Sequence, residues 1–439
     1  MLWIELAVVL AAIFLGARVG GLGLGTVAAV GLATLVFVFG MPPGAPPQNV
    51  LGMIVCVVTA AATMQAAGGL DYLVSIAARW LEAHPQRITF LAPLIAYAFT
   101  FAAGTGHVAY ALLPVIAEVA RKAGVRPERP LSISAIASQQ AITASPISAA
   151  TVGLLALLSP QGVTLGDILL VCIPSTLLGV LAGALSVAWK GKSLESDAEY
   201  QARLARGEVQ PPPPLPKLEG KDLTRARGSV IVFLTAAVSV VLLGLFKDLR
   251  PEYASGDKTV LLDMAPAIMI VMLTAAGVNM LLFGAGAEKT LKGSIMNAGV
   301  IALISIAGLA WMGSSFFEGN RETIVGGISE VVKEHPGIFA LGLFALSILL
   351  FSQAATVSTL VPVGIALGLA PATLIGVFPA VNGYFFLPTY GTLLAAIAFD
   401  QTGTTRIGKY VLNHSFMVPG LVSTAVAIVA GLLIARAVM

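Results

Sequence analysis

Long apolar runs, each near the ~20 residues a helix needs to cross a bilayer, alternate with short polar loops along most of this chain. Segments 2–17, 19–40, 49–67, 130–158 and 167–189 read as five crossings in the first half, and 229–247, 263–283, 294–316, 371–400 and 411–437 as five more in the second. Two other apolar stretches, 88–121 and 337–370, are too long for one crossing and carry a polar, small-residue break in the middle. The breaks are Gly104-Thr105-Gly106-His107 and Ser352-Gln353-Ala354-Ala355-Thr356. Two half-helices meeting at such a break predict a re-entrant hairpin, whose irregular tip is tolerated at membrane depth only where it lines a cavity or is buried in protein. The amphipathic stretch 70–83, with Asp71 in its first turn, predicts an interfacial helix.

Composition supports an all-α polytopic membrane protein: of 439 residues, 57% are apolar and 11% charged. The first stretch, MLWIELAVVLAAIFLGA, carries Glu5 and no basic residue ahead of its apolar core, which predicts an uncleaved first span. Cys56 and Cys172 each lie inside an apolar run, so neither a disulfide framework nor a cysteine metal site is indicated. Residues 190–228 are polar, hold eight Lys or Arg and contain PPPPLP, which cannot pack as regular helix. They read as a cytoplasmic linker.

Charge placement sets the orientation. With residue 1 outside, nineteen of the 25 basic residues fall on the cytoplasmic side, and only Lys247, Arg250, Lys258, Arg321, Lys333 and Arg436 fall outside, as the positive-inside rule requires. Both termini are then periplasmic. The first half begins outside and the second inside, each with three crossings, a hairpin and two crossings, which predicts an inverted repeat. Setting Pro114 on Pro362 pairs "GTGHVAYALLPV" with "SQAATVSTLVPV", and setting Pro146 on Pro388 pairs "QAITASPIS" with "NGYFFLPTY". Small residues at any one of these places could serve helix packing alone; four interruptions in the same order argue for a site. The predicted domains are a scaffold (1–85 and 229–335) and a transport domain (86–189 and 336–439), joined by the linker.

Discontinuous helices in transporters aim their N-terminal ends, with partial positive charge and free N–H groups, at anionic substrates. No Lys or Arg lies inside the broken segments. A bound carboxylate would therefore rely on backbone N–H groups and on neutral side chains. The candidate positions are Thr105, Gly106, His107, Gln139, Thr143, Ser145, Pro146, Ser148, Ser352, Gln353, Thr356, Asn382, Pro388, Thr389, Tyr390 and Thr392, with Gln353 expected to donate to the anion. His107 is the one titratable group in the hairpin tips and reads as a proton carrier, as a hydrogen-bond donor to the ligand, or as a neutral residue making one structural hydrogen bond. Glu118 and Asp400 sit near the predicted membrane edges, where solvated or capping roles are the default. Catalytic patterns are absent: there is no metal-spaced His/Asp/Glu cluster, no G-x-S-x-G and no phosphate loop. The Gly-rich "GARVGGLGLG" (16–25) lies between two spans, so helix packing explains it better than a nucleotide site. No feature points to nucleic acid.

The segments "FLGARVGGLGLG", "MQAAGGLDYLV", "AGTGHVAYALLPVIAEVA", "AITASPISAA", "SQAAT", "FLPTYGTLLAA" and "DQTGTTRIGKYVLNHSF" span nearly the whole chain, and through them it resembles the anaerobic C4-dicarboxylate transporters (Dcu family) of bacteria. The resemblance implies exchange of fumarate, malate, aspartate and succinate across the bacterial inner membrane during anaerobic growth. The tip "SQAATVSTLVP" is also similar to the Ser-Asn-Thr motif of the wider ion-transporter superfamily, which implies an elevator-type transporter and a homodimer. Ser352, Gln353 and Ala354 occupy the second motif and Gly104, Thr105 and Gly106 the first. Gln353 in place of Asn, and the missing hydroxyls at 104 and 106, remove oxygen ligands a sodium ion would use, so coupling to Na⁺ or H⁺ is left open. Two alternatives to an exchanger remain: an ion-coupled dicarboxylate symporter, or a dicarboxylate-binding membrane receptor that docks a sensor protein through the polar loop 400–410.

Overall fold

The computed structural model describes the chain except for residues 20–21, 47, 210–217, 256–257, 321, 324–334, 351, 389 and 409–411, and except for a few helical side chains, that of His107 among them. The first part runs through α1 (Leu2–Val19), α2 (Gly23–Ala33, extended by a π-helical turn Thr34–Val38), α3 (Gln48–Ala66) and α4 (Gly69–Ala83). Then come α5 (Ile88–Ala103), α6 (Ala109–Lys122), α7 (Glu128–Ala144), α8 (Ala149–Leu158) and α9 (Leu165–Val187). A short α10 (Ala198–Ala205) precedes α11 (Gly220–Leu245), α12 (Met264–Leu282), α13 (Ala287–Leu291) and α14 (Ser294–Gly319). The last part holds α15 (Pro336–Leu350), α16 (Gln353–Ala366), α17 (Pro371–Gly376), α18 (Gly391–Phe399) and α19 (Met417–Val438).

Among the described residues, seven helices are long and apolar enough to cross a membrane, or up to eight if the pair 51–66 and 69–83, bent by 71°, is one span. The expected ten crossings are therefore not all continuous helices. Leu2–Gly16 and Gly23–Val38 are short apolar helices, and 371–400 is divided into α17, a 3₁₀ stretch Phe378–Phe385 and α18. Pro379 and Pro388 account for that division, since each lacks a backbone N–H and disturbs the turn before it, whereas Pro371 opens α17 from its first turn. The sharp turn between α3 and α4 comes from Gly68, whose φ of 86° lies where only glycine sits without strain.

Small residues decide how closely the helices approach. The α9–α19 crossing places Gly179 and Gly183 against Ser423 and Pro419, and in the α2–α14 crossing Gly25 and Gly308 meet backbone to backbone. Gly16 packs on the start of α2, its absent Cβ leaving room for the Leu24 backbone 3.0 Å away. The "GARVGGLGLG" glycines described by the structure thus serve packing, as small residues do between membrane helices.

Two departures from the expected architecture stand out. A two-stranded antiparallel hairpin, β1 (Glu252–Ser255) and β2 (Lys258–Leu261), follows α11; strands this short leave almost no pattern in a sequence. The linker 190–228 is partly helical: α10 lies inside it and α11 begins at Gly220, well before the expected 229. Its proline run, 210–217, lies outside the described residues.

The linker is fastened to the body of the protein by charge. Arg126, nearly buried, donates to Glu128 (2.8 Å) and to Asp197 (2.5 Å), and Lys190 reaches Glu128 at 2.9 Å. Asp197 also caps α10 by accepting from the N–H groups of Glu199 and Tyr200. Burial would raise the Asp197 pKa, but the Tyr200 N–H, Arg126 and the Glu199 N–H outweigh it and hold the carboxyl below its ordinary range. A carboxyl depressed on folding adds stability that is present above its unfolded pKa of about 3.9 and is lost as pH falls through the lower folded value. Limited proteolysis should therefore leave residues 193–205 protected at pH 5 and above and cut them progressively faster as pH falls below about 3.9. Asp197→Asn removes the charge-assisted bond to Arg126, worth about 1.5–3 kcal/mol, and should expose the same segment at neutral pH. Unchanged cleavage of the variant would mean that α10 is held by something else.

Candidate functional site

Four helices begin at one place. Broken segments leave N–H groups without intrahelical partners at the first turn of every restarted helix, and a cavity of ≈ 580 Å³ gathers four such starts. Its wall includes Gly104, Thr105 and Gly106, which lead through the 3₁₀ turn Gly106–Val108 into α6. It includes Ala149 and Ala150 at the start of α8, Gln353 and Ala354 at the start of α16, and Tyr390 and Gly391 at the start of α18. The facing wall is built from α2, α3 and α14, through Leu24, Ile54, Val57, Ala61, Ile301 and Ser305 among others. Among the described lining residues none is Lys, Arg, Asp or Glu.

Local chemistry explains each restart. Ser148 and Ser352 are extended N-caps: Ser148 Oγ accepts from Thr151 N–H (3.1 Å) and Ser352 Oγ from Ala355 N–H (3.2 Å). The N-cap residues of α6 and α18, Val108 and Tyr390, make no side-chain cap. Gly104 takes a φ of 69° to end α5, and a Cβ there would press on the Ile147 carbonyl at 2.9 Å. A Cβ on Gly106 would run into the Gln139 amide, and one on Gly391 into Tyr110 Oη. These glycines let the broken ends meet.

Behind the tips lies a chain of buried amides that joins four elements. Gln353 Nε2 donates to Gln139 Oε1 (2.8 Å) and to Asn382 Oδ1 (3.3 Å). Asn382 Nδ2 donates to Gln140 Oε1 (3.3 Å) and to the Pro379 carbonyl (3.1 Å), and Gln140 Nε2 donates to Thr424 Oγ1 (3.0 Å). Gln139 Nε2 is fully buried and has no acceptor among the described residues. Close by, Thr100 and Ser138 share a 2.7 Å hydrogen bond.

The expected site residues therefore separate into groups. Thr105, Gly106, Ser352, Gln353 and Tyr390 line the cavity. Gln139 and Asn382 stand behind it in the amide chain. Thr392 is buried beside the start of α18, its hydroxyl without a protein partner. Ser145, Ser148, Thr143 and Thr356 spend their hydroxyls within the protein, on the carbonyls of Phe101 (2.7 Å), Ile142 (2.5 Å), Gln140 (2.8 Å) and Ser352 (2.8 Å). Pro146 and Pro388 are buried in the two breaks. Thr389 and the side chain of His107 lie outside the described residues. Gln353 departs from its expected role: both of its N–H groups are committed to Gln139 and Asn382, so it has none left to donate into the cavity.

Sequence reasoning missed Gln140, Thr424 and Tyr110. Of the two roles expected for Asp400, solvated or capping, the structure shows the second: the residue is 2% exposed and accepts from Thr402 N–H (2.9 Å), Thr405 N–H (2.6 Å) and the hydroxyls of Thr402 and Thr404. Asp400 organises the loop after α18, a capping role.

The whole chain, residues 1–439, matches the family model described as anaerobic C4-dicarboxylate membrane transporter. It is 42% identical to the C4-dicarboxylate transporter DcuA of Wolinella succinogenes over 446 residues, which covers 99% of each chain. Over 436 residues it is 42% identical to the DcuA of Escherichia coli K12, covering 98% of each chain. It is 39% identical over 436 residues to the anaerobic C4-dicarboxylate transporter DcuB of Escherichia coli O6:H1, with 98% of this chain and 97% of the relative covered.

Asn382→Ala should show whether the amide chain is integral to the fold. It takes from Gln140 Oε1 its Asn382 donor and from a Gln353 N–H its Asn382 acceptor, at about 1–3 kcal/mol for each buried group left unpaired. Thermal unfolding of the purified variant should come well below that of wild type, while Ser159→Ala, at an exposed position, should match it. Equal melting of all three would remove the chain from the stability account.

Proposed function

Because the chain belongs to the anaerobic C4-dicarboxylate transporter family, and is thus a multi-span transporter and not an enzyme, we propose that it exchanges C4-dicarboxylates across a bacterial inner membrane by an elevator-type alternating-access cycle. The observation that carries this reading is the meeting of four helix N-termini at one cavity without a charged side chain. Each N-terminus is equivalent to about +0.5 of an elementary charge, so four supply about +2, which balances a dicarboxylate of charge −2. Their individual contributions, about 0.3–1 kcal/mol and up to ~2 in partly buried geometry, reach at most the ~8 kcal/mol that corresponds to micromolar affinity. The site is strong enough to bind and weak enough to release. Its volume falls in the ~300–1,000 Å³ range of small-ligand pockets.

Exchange follows from the same balance. A loaded site is near neutral, whereas an empty one would carry the uncompensated N-terminal charge past the apolar wall of α2, α3 and α14, and charge in a low-dielectric setting is costly. Returning loaded is the easier path. In this scheme α5–α9 and α15–α19 form the moving transport domain, and α1–α4 with α11–α14 form the scaffold. The order of a helical hairpin followed by a broken helix in both halves supports an inverted repeat, with α5–α6 and α15–α16 as the re-entrant hairpins and both termini periplasmic. The homodimer implied by the superfamily resemblance would join scaffolds.

Vesicles containing the purified protein and loaded with unlabelled succinate should take up labelled fumarate much faster than empty vesicles. Uptake into empty vesicles that depends on a sodium or proton gradient would replace exchange by symport. Measurable binding with near-zero uptake in both preparations would leave a receptor instead.

A further inference from the structure

The polarity of the amide chain is set by a group that cannot turn round. A carboxamide can be drawn with its oxygen and nitrogen exchanged, and only its partners decide. The Pro379 carbonyl is backbone and can only accept, so the Asn382 atom 3.1 Å from it is the nitrogen, Nδ2. Asn382 Oδ1 then faces Gln353, and the Gln353 atom bound to it at 3.3 Å must be Nε2. That same nitrogen donates to Gln139 Oε1 at 2.8 Å. Both Gln353 N–H groups are thus used. What remains is Oε1, on a residue that is 7% exposed and lines the cavity; no donor among the described residues reaches this oxygen, and it is not fully buried.

Resting on the reading of the cavity as a C4-dicarboxylate site, we propose that Gln353 Oε1 is a specificity determinant that accepts a hydrogen bond from the substrate. A carboxylate oxygen has no hydrogen to give, and two lone-pair carriers at contact distance repel. The substrate class that fits is a four-carbon dicarboxylate with an N–H or O–H donor on the carbon beside one carboxylate: an α-ammonium, or an α-hydroxyl. The helix N-termini take the two carboxylates, and Gln353 Oε1 takes the donor between them. An α-ammonium gains most, because the acceptor also offsets the repulsion it meets from the positive helix ends. Gln353 sits at the first residue of α16, at the cavity wall where those ends converge. Asn382 is here a positioning residue, acting through Gln353.

The test is equilibrium binding of L-aspartate, L-malate and succinate to the purified full-length protein at pH 7, in wild type and in Gln353→Met, which keeps the chain length and removes the acceptor. Wild type should bind aspartate about tenfold or more tightly than succinate, with malate between them. In the variant, all three should bind with similar affinity. A purely structural Gln353 would weaken all three in proportion and leave the ratios unchanged, which would overturn the proposal. So would a wild type that binds succinate at least as tightly as aspartate and malate, a result obtainable even if the variant does not fold. A preference that appears for succinate alone, growing as pH falls and its carboxyl is protonated, would assign the donor to the carboxyl proton and overturn the α-substituent assignment. If none of the three binds wild type, it is the reading of the cavity as a dicarboxylate site that fails.

Discussion

A helix that starts inside a membrane protein leaves N–H groups that lipid cannot satisfy, and most of this structure is arranged around that constraint. Every restart must end in protein, in a cavity or on a ligand. Here four of them share one cavity. Two are partly satisfied by serine caps, Ser148 and Ser352, and at the other two, α6 and α18, the N-cap residues Val108 and Tyr390 make no side-chain cap. The glycines at 104, 106 and 391 follow from the same constraint, since the broken ends could not approach one another with a Cβ at any of them. Anion binding in such a place needs no lysine or arginine. It uses partial charges that the backbone has already committed on folding.

The amide chain behind the cavity gives the broken ends a fixed relation. Gln353 on α16, Gln139 and Gln140 on α7, Asn382 in the 3₁₀ stretch 378–385 and Thr424 on α19 are linked in sequence by hydrogen bonds of 2.8–3.3 Å. Low dielectric strengthens each bond and makes each unmade one costly. Because the Pro379 carbonyl fixes the direction of donation, one backbone atom determines which face of Gln353 the cavity sees. The second polar system, around Arg126, Glu128, Lys190 and Asp197, does for the linker what the amides do for the hairpin tips.

Much of this was legible in the sequence because proline, glycine and hydroxyl clusters stand out against apolar runs. The breaks at Gly104, at Ser145–Ser148 and at Ser352 were placed on that contrast alone, and the structure puts helix ends at all three. The region 371–400 reads as a crossing with one break at Pro388, yet Pro379 divides it further and turns its middle into a 3₁₀ stretch. What could not be read is pairing at long range. Gln140 and Thr424 are 284 positions apart and look like ordinary polar residues inside membrane helices. Gln353 was read as a donor from its residue type; its role as an acceptor depends on a backbone carbonyl, which has no signature in residue identity. For Asp400 the sequence leaves solvated and capping roles open, and the choice of capping rests on the N–H groups of Thr402 and Thr405, in a loop whose shape only the fold defines.

In the proposed function, neutral helix ends, and not side-chain cations, hold the dicarboxylate. The most direct measurement is a density map of the full-length protein saturated with bromosuccinate, whose heavy atom marks the ligand unambiguously. The account predicts the bromine signal inside the cavity walled by Gly106, Gln353 and Gly391, with both carboxylates against backbone N–H groups at the starts of the broken helices and no Lys or Arg in contact. A ligand found elsewhere, or one whose carboxylates are gripped by arginine or lysine, would contradict it.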